Sequence, residues 1–378
     1  MAGEPAVAGS VVSTAAVSAA QAAGTSGASS TSTVEGALAV LPGPRAEVPG
    51  FELVWQQVVA EIGRARSVDL ICHICPDGDA LGSALAAGLA LRSLGHEVRV
   101  SFGDDPQVVP ESLAFLPGQE LIVPAADVPE VPDLVLCFDV ASEGRLGLLH
   151  AKAFAAPVLA VIDHHASNPG FGTHQLIDPT APATAVLVDE LLRRLGVPLD
   201  QDLATCLYTG VATDTGSFKY AATTPATHEL AGRLLATGIR HDLISRQLWD
   251  TSSFGYLKVL AGALQRAVYE PDAAGGLGLV WTWVPYEDLA LFRVTVEEIE
   301  GLIDILRRPA EAEVALVLKQ DPDGTLRGSS RSKGAVDVAL ACGELGGGGH
   351  TYAAGFSTRE DVDSVVARFR AALRPAGG

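Results

Sequence analysis

An α/β fold with a parallel sheet, followed by a smaller mixed-sheet α+β domain, is the class this sequence predicts, and three observations predict it. Between Phe51 and Asp163, short apolar runs of strand length alternate with stretches of helical periodicity. Runs such as LVLCF and VLAVI are apolar throughout, as expected of strands buried on both faces of a sheet with helices on either side. Beyond residue 276 the order changes, because AEVALVLKQ and LRGSSRS meet at an Asp323-Gly324 turn and so read as a hairpin. At 378 residues the chain can bury two cores.

The elements follow in order. Residues 1–49 are rich in Ala, Ser, Gly and Thr, cannot bury enough apolar surface to offset chain entropy, and are expected to be disordered. No basic residue precedes an apolar core there, and no run of about 18 strongly apolar residues exists, so neither a signal peptide nor a membrane span is expected. FELVWQQVVAEIGRA has helical spacing and SVDLICHI is strand-like. DALGSALAAGLALRSLG reads as a helix capped by Asp79 and stopped by Gly95. HEVRVSF, DLVLCFDV and APVLAVID are further strands, and LATCLYTGVAT is a buried helix ahead of Asp214. FGYLKVLAGALQRAVYE reads as a linking helix, then LGLVWTWV as a strand and VTVEEIEGLIDILRR as a helix. After the hairpin come the helix VDVALACGEL, a GGGGH loop, the strand TYAAGFS and the helix VDSVVARFRAAL. The expected division is a tail at 1–49, a first domain at 50–250, a linker helix at 251–275 and a second domain at 276–378.

Ligands of parallel α/β sheets bind at the carboxyl ends of the strands, and the charged residues gather at those ends. His73 and Asp77 follow the first strand, Asp139 the third, and Asp163, His164 and His165 the fourth, while Asp214 ends a buried helix. An isolated Asp-Gly-Asp is usually a surface turn; several strands delivering acids and histidines to one edge are not. Gathered carboxylates raise each other's pKa and destabilise the fold unless cations neutralise them. The four aspartates 77, 79, 139 and 214 match the charge of two divalent ions. Oxygen-rich ligation with imidazole favours Mn²⁺ or Mg²⁺ over zinc. Two such ions about 3.5–4 Å apart activate water for in-line displacement at phosphorus.

Four ordered motifs carry a resemblance: HICPDGDALGS (73–83), FDVAS (138–142), VIDHHAS (161–167) and TGVATDTGSF (209–218). They resemble those of the DHH phosphoesterase superfamily, and GSSRSKGAVDVALACGELGGGGHTYAAGF (328–356) is similar to its DHH-associated substrate domain. Within that superfamily the compact arrangement is most similar to the bifunctional oligoribonucleases that also dephosphorylate 3′-phosphoadenosine 5′-phosphate, the nanoRNases. The resemblance implies an active site in the cleft between the domains, where His73, Asp77 and Asp139 hold one ion. Asp79, Asp139, His164 and Asp214 would hold the other, making Asp139 the bridge. It further implies that His165 contacts the scissile phosphate, that Asp163 orients a neighbouring imidazole, and that Arg331, His350 and the backbone of Gly347, Gly348 and Gly349 receive a terminal phosphate.

Composition bounds the partners. A formal charge of −19 excludes gripping long double-stranded nucleic acid by counterion release, which leaves short RNA and 3′-phosphorylated nucleotides as substrates. Five cysteines at irregular spacing suit a reducing cytoplasm, and the C-x-x-C of Cys72 and Cys75 has no second pair, so it is read as packing. Trp281 and Trp283 are read as core residues, and a homodimer is compatible with the sequence. The rival functions are a cyclic- or linear-dinucleotide phosphodiesterase and, in a different class, a non-catalytic nucleotide sensor on the same fold. The sensor would be expected to lack a metal ligand, and every expected ligand is present.

Overall fold

A computed structural model describes residues 50–374; the segment 1–49, expected to be disordered, and residues 375–378 lie outside the described residues. After helix α1 (Phe51–Arg64), five strands form a wholly parallel sheet: β1 (Ser67–Cys72), β2 (Glu97–Phe102), β3 (Val135–Phe138), β4 (Leu159–Asp163) and β5 (His174–Ile177). Their order is β2-β1-β3-β4-β5, so the chain leaves β1 toward one edge and returns to its other side. The carboxyl ends of β1 and β3 therefore flank a topological switch point.

Alternation along the strands feeds two cores. Leu70, Cys72, Leu136, Phe138, Ala160 and Ile162 pack under α1, α2 (Gly78–Ser93), α4 (Thr184–Arg194) and α5 (Gln201–Asp214). Ile71, Val135, Cys137, Leu159 and Val161 face the opposite side, covered by a 3₁₀ segment (Glu143–Leu149) and α3 (His150–Ala155). Both faces are buried, which is why these runs carry no polar alternation. Helices α6 (Pro225–Ala236) and α7 (His241–Trp249) pack beside α5.

The second sheet is six-stranded, in the order β10-β11-β9-β8-β7-β6. Its chain order is α8 (Phe254–Arg266), β6 (Val268–Glu270), a four-residue turn α9 (Ala273–Gly276), β7 (Leu279–Val284), α10 (Tyr286–Phe292), α11 (Leu302–Leu306), β8 (Val314–Gln320), β9 (Leu326–Ser332), α12 (Val338–Gly343), β10 (Gly348–His350), β11 (Ala353–Thr358) and α13 (Val362–Ala372). Only β7 and β8 are parallel. Leu316, Leu318, Leu326 and Phe356 pack on one face with Val338, Val366 and Phe369. Ala315 and Val317 pack on the other face with Val259, Ile299 and Ile303.

Several elements differ from expectation. Asp77, not Asp79, caps α2: its Oδ1 accepts from the amides of Asp79 and Ala80, both at 3.0 Å. The stretch 294–308 is not one helix but a 3₁₀ turn (Glu297–Ile299) followed by α11. A reciprocal Thr295–Glu298 pair starts the first turn, and Gly301 stands at the N-cap of the second. The end of the expected linker helix is β6, which pairs antiparallel with β7. Part of GGGGH is strand, and β5 and α10 had no strong periodic signal.

Helices α2 and α5 touch through glycine. A Cβ on Gly82 would lie 2.6 Å from the Cys206 carbonyl oxygen, and one on Gly210 would lie 2.7 Å from Asp79 Oδ1. Gly82→Ala should therefore cost about 1–3 kcal/mol by forcing the helices apart. Gly63→Ala, with nothing within 4 Å of its Cβ, should be neutral or stabilising and serves as the control. Thermal unfolding of both variants checks this; an unchanged melting temperature for Gly82→Ala would show that the helix contact yields at no cost.

Candidate metal centre

The switch point converts strand ends into a cluster. β1 stops at Cys72, which puts His73 at its carboxyl end, and β3 stops at Phe138, which puts Asp139 beside it. Asp139 adopts φ +59°, a left-handed conformation uncommon for a residue with a side chain though tolerated best by Asp and Asn. The turn redirects the chain while leaving the carboxylate buried among the histidines. Asp163, the last residue of β4, is followed by His164 and His165, and Asp214 is the last residue of α5.

The sequence-predicted residues of the first domain come together. Asp139 Oδ2 lies 3.5 Å from His73 Nε2, and Asp139 Oδ1 lies 3.5 Å from His164 Nε2. Asp77 Oδ2 is 3.8 Å from His73 Nε2, and Asp214 Oδ2 is 3.0 Å from His164 Nε2. One ligand atom from each of His73, Asp77 and Asp139 lies within 4.8 Å of the other two, and the same holds for Asp79, Asp139 and His164. Asp139 belongs to both groups. His165 Nδ1 is 2.7 Å from Asp163 Oδ1, whose other oxygen accepts from Asn168 Nδ2 at 2.6 Å.

Backbone carbonyls select the histidine tautomers. His164 Nδ1 lies 3.2 Å from the Ala181 oxygen, so a proton there leaves Nε2 free toward Asp139 and Asp214. His73 Nδ1 lies 2.8 Å from the Ile74 oxygen but also 2.8 Å from Arg145 Nη2. Donation to Ile74 frees Nε2 for a cation; acceptance from Arg145 does not.

The electrostatics fit divalent cations. Asp79 is fully buried, and its pKa is raised well above the usual carboxylate range, first by burial and then by Asp139 and Asp214. Burial lowers the pKa of His73, but Asp139 and Asp77 outweigh it and lift it to about 10. His164 behaves likewise: burial opposes, Asp214 and Asp139 prevail, and the value rises to about 11. Without metal the cluster draws protons onto imidazoles that should be neutral ligands, so the site demands positive charge. The donors are carboxylate oxygen and imidazole nitrogen; Cys75 Sγ turns instead to Asp104 Oδ1 at 3.5 Å, and Cys72 is buried in the core.

Sequence reasoning missed the partners that orient these ligands. Asp79 Oδ2 accepts from the Thr184 amide at 2.6 Å and Oδ1 from the Ala185 amide at 2.9 Å, both in the first turn of α4. Thr184 Oγ1 donates to Asp139 Oδ1 at 2.9 Å. Arg145, Asn168 and Ala181 also escaped, because no spacing rule marks a residue that supports a ligand from another element.

From the second domain, His350 stacks on His165 with ring centroids 4.5 Å apart and planes 16° from parallel. Burial and the neighbouring His165 and His164 push its pKa down to about 4. Arg331, Ala353 and His350 form one cross-strand row over β9, β11 and β10, so Arg331 shares the sheet face of His350. Arg331 Nη1 donates to the Ser330 oxygen at 3.0 Å, and among the described residues it makes no ion pair. The glycines divide: a Cβ on Gly347 would lie 2.0 Å from the Gly355 oxygen and one on Gly349, at φ +145°, 2.6 Å from the Ala353 oxygen. Those two are needed by the close approach to β11, whereas exposed Gly348 has nothing within 4 Å of its Cβ position.

Comparison with known proteins agrees with this geometry. The profile of the DHH family, N-terminal domain, matches residues 67–211, and that of the DHHA1 domain matches 289–374. The bifunctional oligoribonuclease and PAP phosphatase NrnA of Thermus thermophilus is 32% identical over 329 residues, covering 85% of this chain and 94% of that protein. The cyclic-di-AMP phosphodiesterase GdpP of Bacillus subtilis is 30% identical over 219 residues, 55% of this chain but 31% of that protein. The crystal structure of an exopolyphosphatase-related protein from Bacteroides fragilis superposes with a TM-score of 0.76 at 25% identity, covering 85% of this chain and 95% of that one. With its motifs on one buried cluster and both domains matched, the chain belongs to the DHH family and carries a DHHA1 domain.

Proposed function

We propose that the protein is a divalent-metal phosphohydrolase that degrades very short RNA to mononucleotides and dephosphorylates 3′-phosphoadenosine 5′-phosphate to AMP. The observation that carries this reading is the match, over nearly its whole length, to an oligoribonuclease and PAP phosphatase, combined with a cation-demanding cluster that faces His350 of the second domain. The match to the cyclic-di-AMP phosphodiesterase spans under a third of that protein and supports a dinucleotide phosphodiesterase less well.

In this reading His73, Asp77 and Asp139 hold one ion, and Asp79, Asp139, His164 and Asp214 the other, with Mn²⁺ preferred over Mg²⁺ because imidazoles join the carboxylates. Two such ions neutralise phosphate charge and lower the pKa of water. The chain's own groups do the rest. Asp163 fixes His165 through Nδ1, and burial, which lowers the His165 pKa, is outweighed by Asp163 and Asp139, which raise it. Held in this way, His165 contacts the scissile phosphate. Arg331, His350 and the Gly347–Gly349 backbone receive a terminal phosphate across the cleft, so residues 50–250 cut while 276–378 measure from an end. The five free cysteines suit a reducing cytoplasm, and no helix among the described residues is long and apolar enough to cross a membrane.

Asp139→Asn tolerates the left-handed backbone but removes the shared charge. Turnover should fall at least about 100-fold, since outer-shell partners alone are worth 10–100-fold. The stabilisation that Mn²⁺ gives the wild type, about 2.7 kcal/mol at a hundredfold excess over Kd and read as a rise in melting temperature, should largely vanish. Near-normal turnover at saturating Mn²⁺ would sink the shared-ligand assignment.

Substrate length tests the second domain. RNA of two to five nucleotides should show higher kcat/KM than RNA of about twenty, because a net charge of −19 opposes a long polyanion. Arg331→Ala should mainly raise KM, by the equivalent of about 1.5–3 kcal/mol for a lost charged hydrogen bond. Equal rates on short and long RNA, or an indifferent Arg331→Ala, would refute the anchor while leaving the metal cluster intact.

A further inference from the structure

Asp139 serves two groups of ligands only if its carboxylate keeps one orientation. Oδ2 faces His73 and Oδ1 faces His164, each at 3.5 Å, yet the terminal torsion of an aspartate is broad and two-fold, and a rotated carboxylate would present both oxygens to one side. Something must hold the plane.

Thr184 is placed to do this. It is fully buried, it is the first residue of α4, and its hydroxyl donates to Asp139 Oδ1 at 2.9 Å. The position matters. In α5 the hydroxyls of Thr205, Thr209, Thr213 and Thr215 all return to the carbonyl four residues back, the ordinary fate of a helical threonine. At the first helical position no such intrahelical carbonyl exists, and the hydroxyl is released to a partner outside the helix. The branched Cβ restricts its rotamer, so the donor is preset. Through its amide the same residue holds Asp79 Oδ2 at 2.6 Å. One residue thus grips two carboxylates assigned to the same cation, by O–H and by N–H.

We propose that Thr184 is the positioning residue of the bridging carboxylate: its hydroxyl sets the Asp139 plane so that one oxygen faces each cation. The loss caused by removing it falls on the second ion. The first ion keeps His73 and Asp77, which Thr184 does not touch, and can be met by either oxygen of Asp139; the second, besides His164 and Asp214, relies on Asp139 Oδ1 and Asp79, both of which Thr184 holds. This inference rests on the two-cation reading of the site, and its test is made without substrate so that the two can fail separately.

Mn²⁺ binding to the full-length protein is measured by calorimetry and by electron paramagnetic resonance, which distinguishes isolated from spin-coupled ions. In Thr184→Val the first Mn²⁺ should bind as in the wild type and the second about 10- to 100-fold more weakly, with loss of the spin-coupled signal at limiting metal. Thr184→Ser, which keeps a hydroxyl, should restore both. Turnover of Thr184→Val should recover as Mn²⁺ is raised, with the substrate KM unchanged at saturation. Thr184→Ala, measured in parallel, keeps the test decisive should the valine protein not fold, and must show the same selective loss. Unchanged affinity for the second ion in the valine or alanine protein, or a serine protein as weak as these, overturns the proposal while two-ion binding by the wild type still stands. Fewer than two ions on the wild type would remove the two-cation reading itself, and with it this role for Thr184.

Discussion

The constraint on which the rest of this structure depends is the packing of four carboxylates, those of Asp77, Asp79, Asp139 and Asp214, around a single crossover of the first sheet. Burial and mutual repulsion raise Asp79 well above the carboxylate range and Asp214 to about 6. Asp139 moves the other way: burial opposes ionisation, but contact with His73 and then the charges of His73, His164 and His165 hold its pKa low. Asp139 and, through His73, Asp77 are thus the carboxylates the histidines favour, while Asp79 and Asp214 carry the unmet charge. A fold tolerates that division where function requires cations to complete it.

The surrounding elements read as consequences. Asp79 can be buried because the first turn of α4 gives it two amide donors, with the positive end of the helix dipole behind them. Reaching that turn requires α2 to sit close to α4 and α5, which requires glycine at Gly82 and Gly210, where side chains would strike a carbonyl oxygen and the Asp79 carboxylate itself. Asp77 uses one oxygen to cap α2 and has the other for His73, so the cap and the proposed ligand are one residue. Local strain is concentrated here as well: besides Asp139, Cys75 in the first motif and Ser217 and Phe218 just after Asp214 have positive φ.

Much of this was legible in the sequence. Uniformly apolar runs identify β3 and β4, and a mostly apolar one identifies β1, because both faces of the sheet are covered, and the residues that end them identify the cluster because strand ends share an edge. What stayed hidden has a common physical cause. The N-cap of α2 was misplaced by two residues because two aspartates of equal capping propensity flank Gly78, and only the pull of α4 on Asp79 decides between them. Thr184 and Ala185 act through main-chain amides and one hydroxyl from another element, which no spacing reports. The glycine run suggested only a main chain open to an anion, and the close approach of Gly347 and Gly349 to β11 comes from a later strand whose position no spacing reports.

The distribution of arginines gives the second sheet its sense of scale. Arg327 is tied to Asp321 at 2.7 Å, and Arg307 to Asp304 at 3.6 Å with its guanidinium over the Tyr220 ring. Arg331, two residues along the same strand face from Ser329 and in one row with His350, has only a main-chain carbonyl. An arginine already matched to a carboxylate has little to offer a phosphate, whereas an unmatched one adds a charged bidentate donor. The proposed anchor draws on that local charge: in a chain of net charge −19 a guanidinium without a carboxylate partner suits one phosphate, while a longer strand brings further phosphates against a net charge of their own sign. Arg308 likewise has only a main-chain carbonyl, so what sets Arg331 apart is the row it shares with His350 rather than the lack of an ion pair alone.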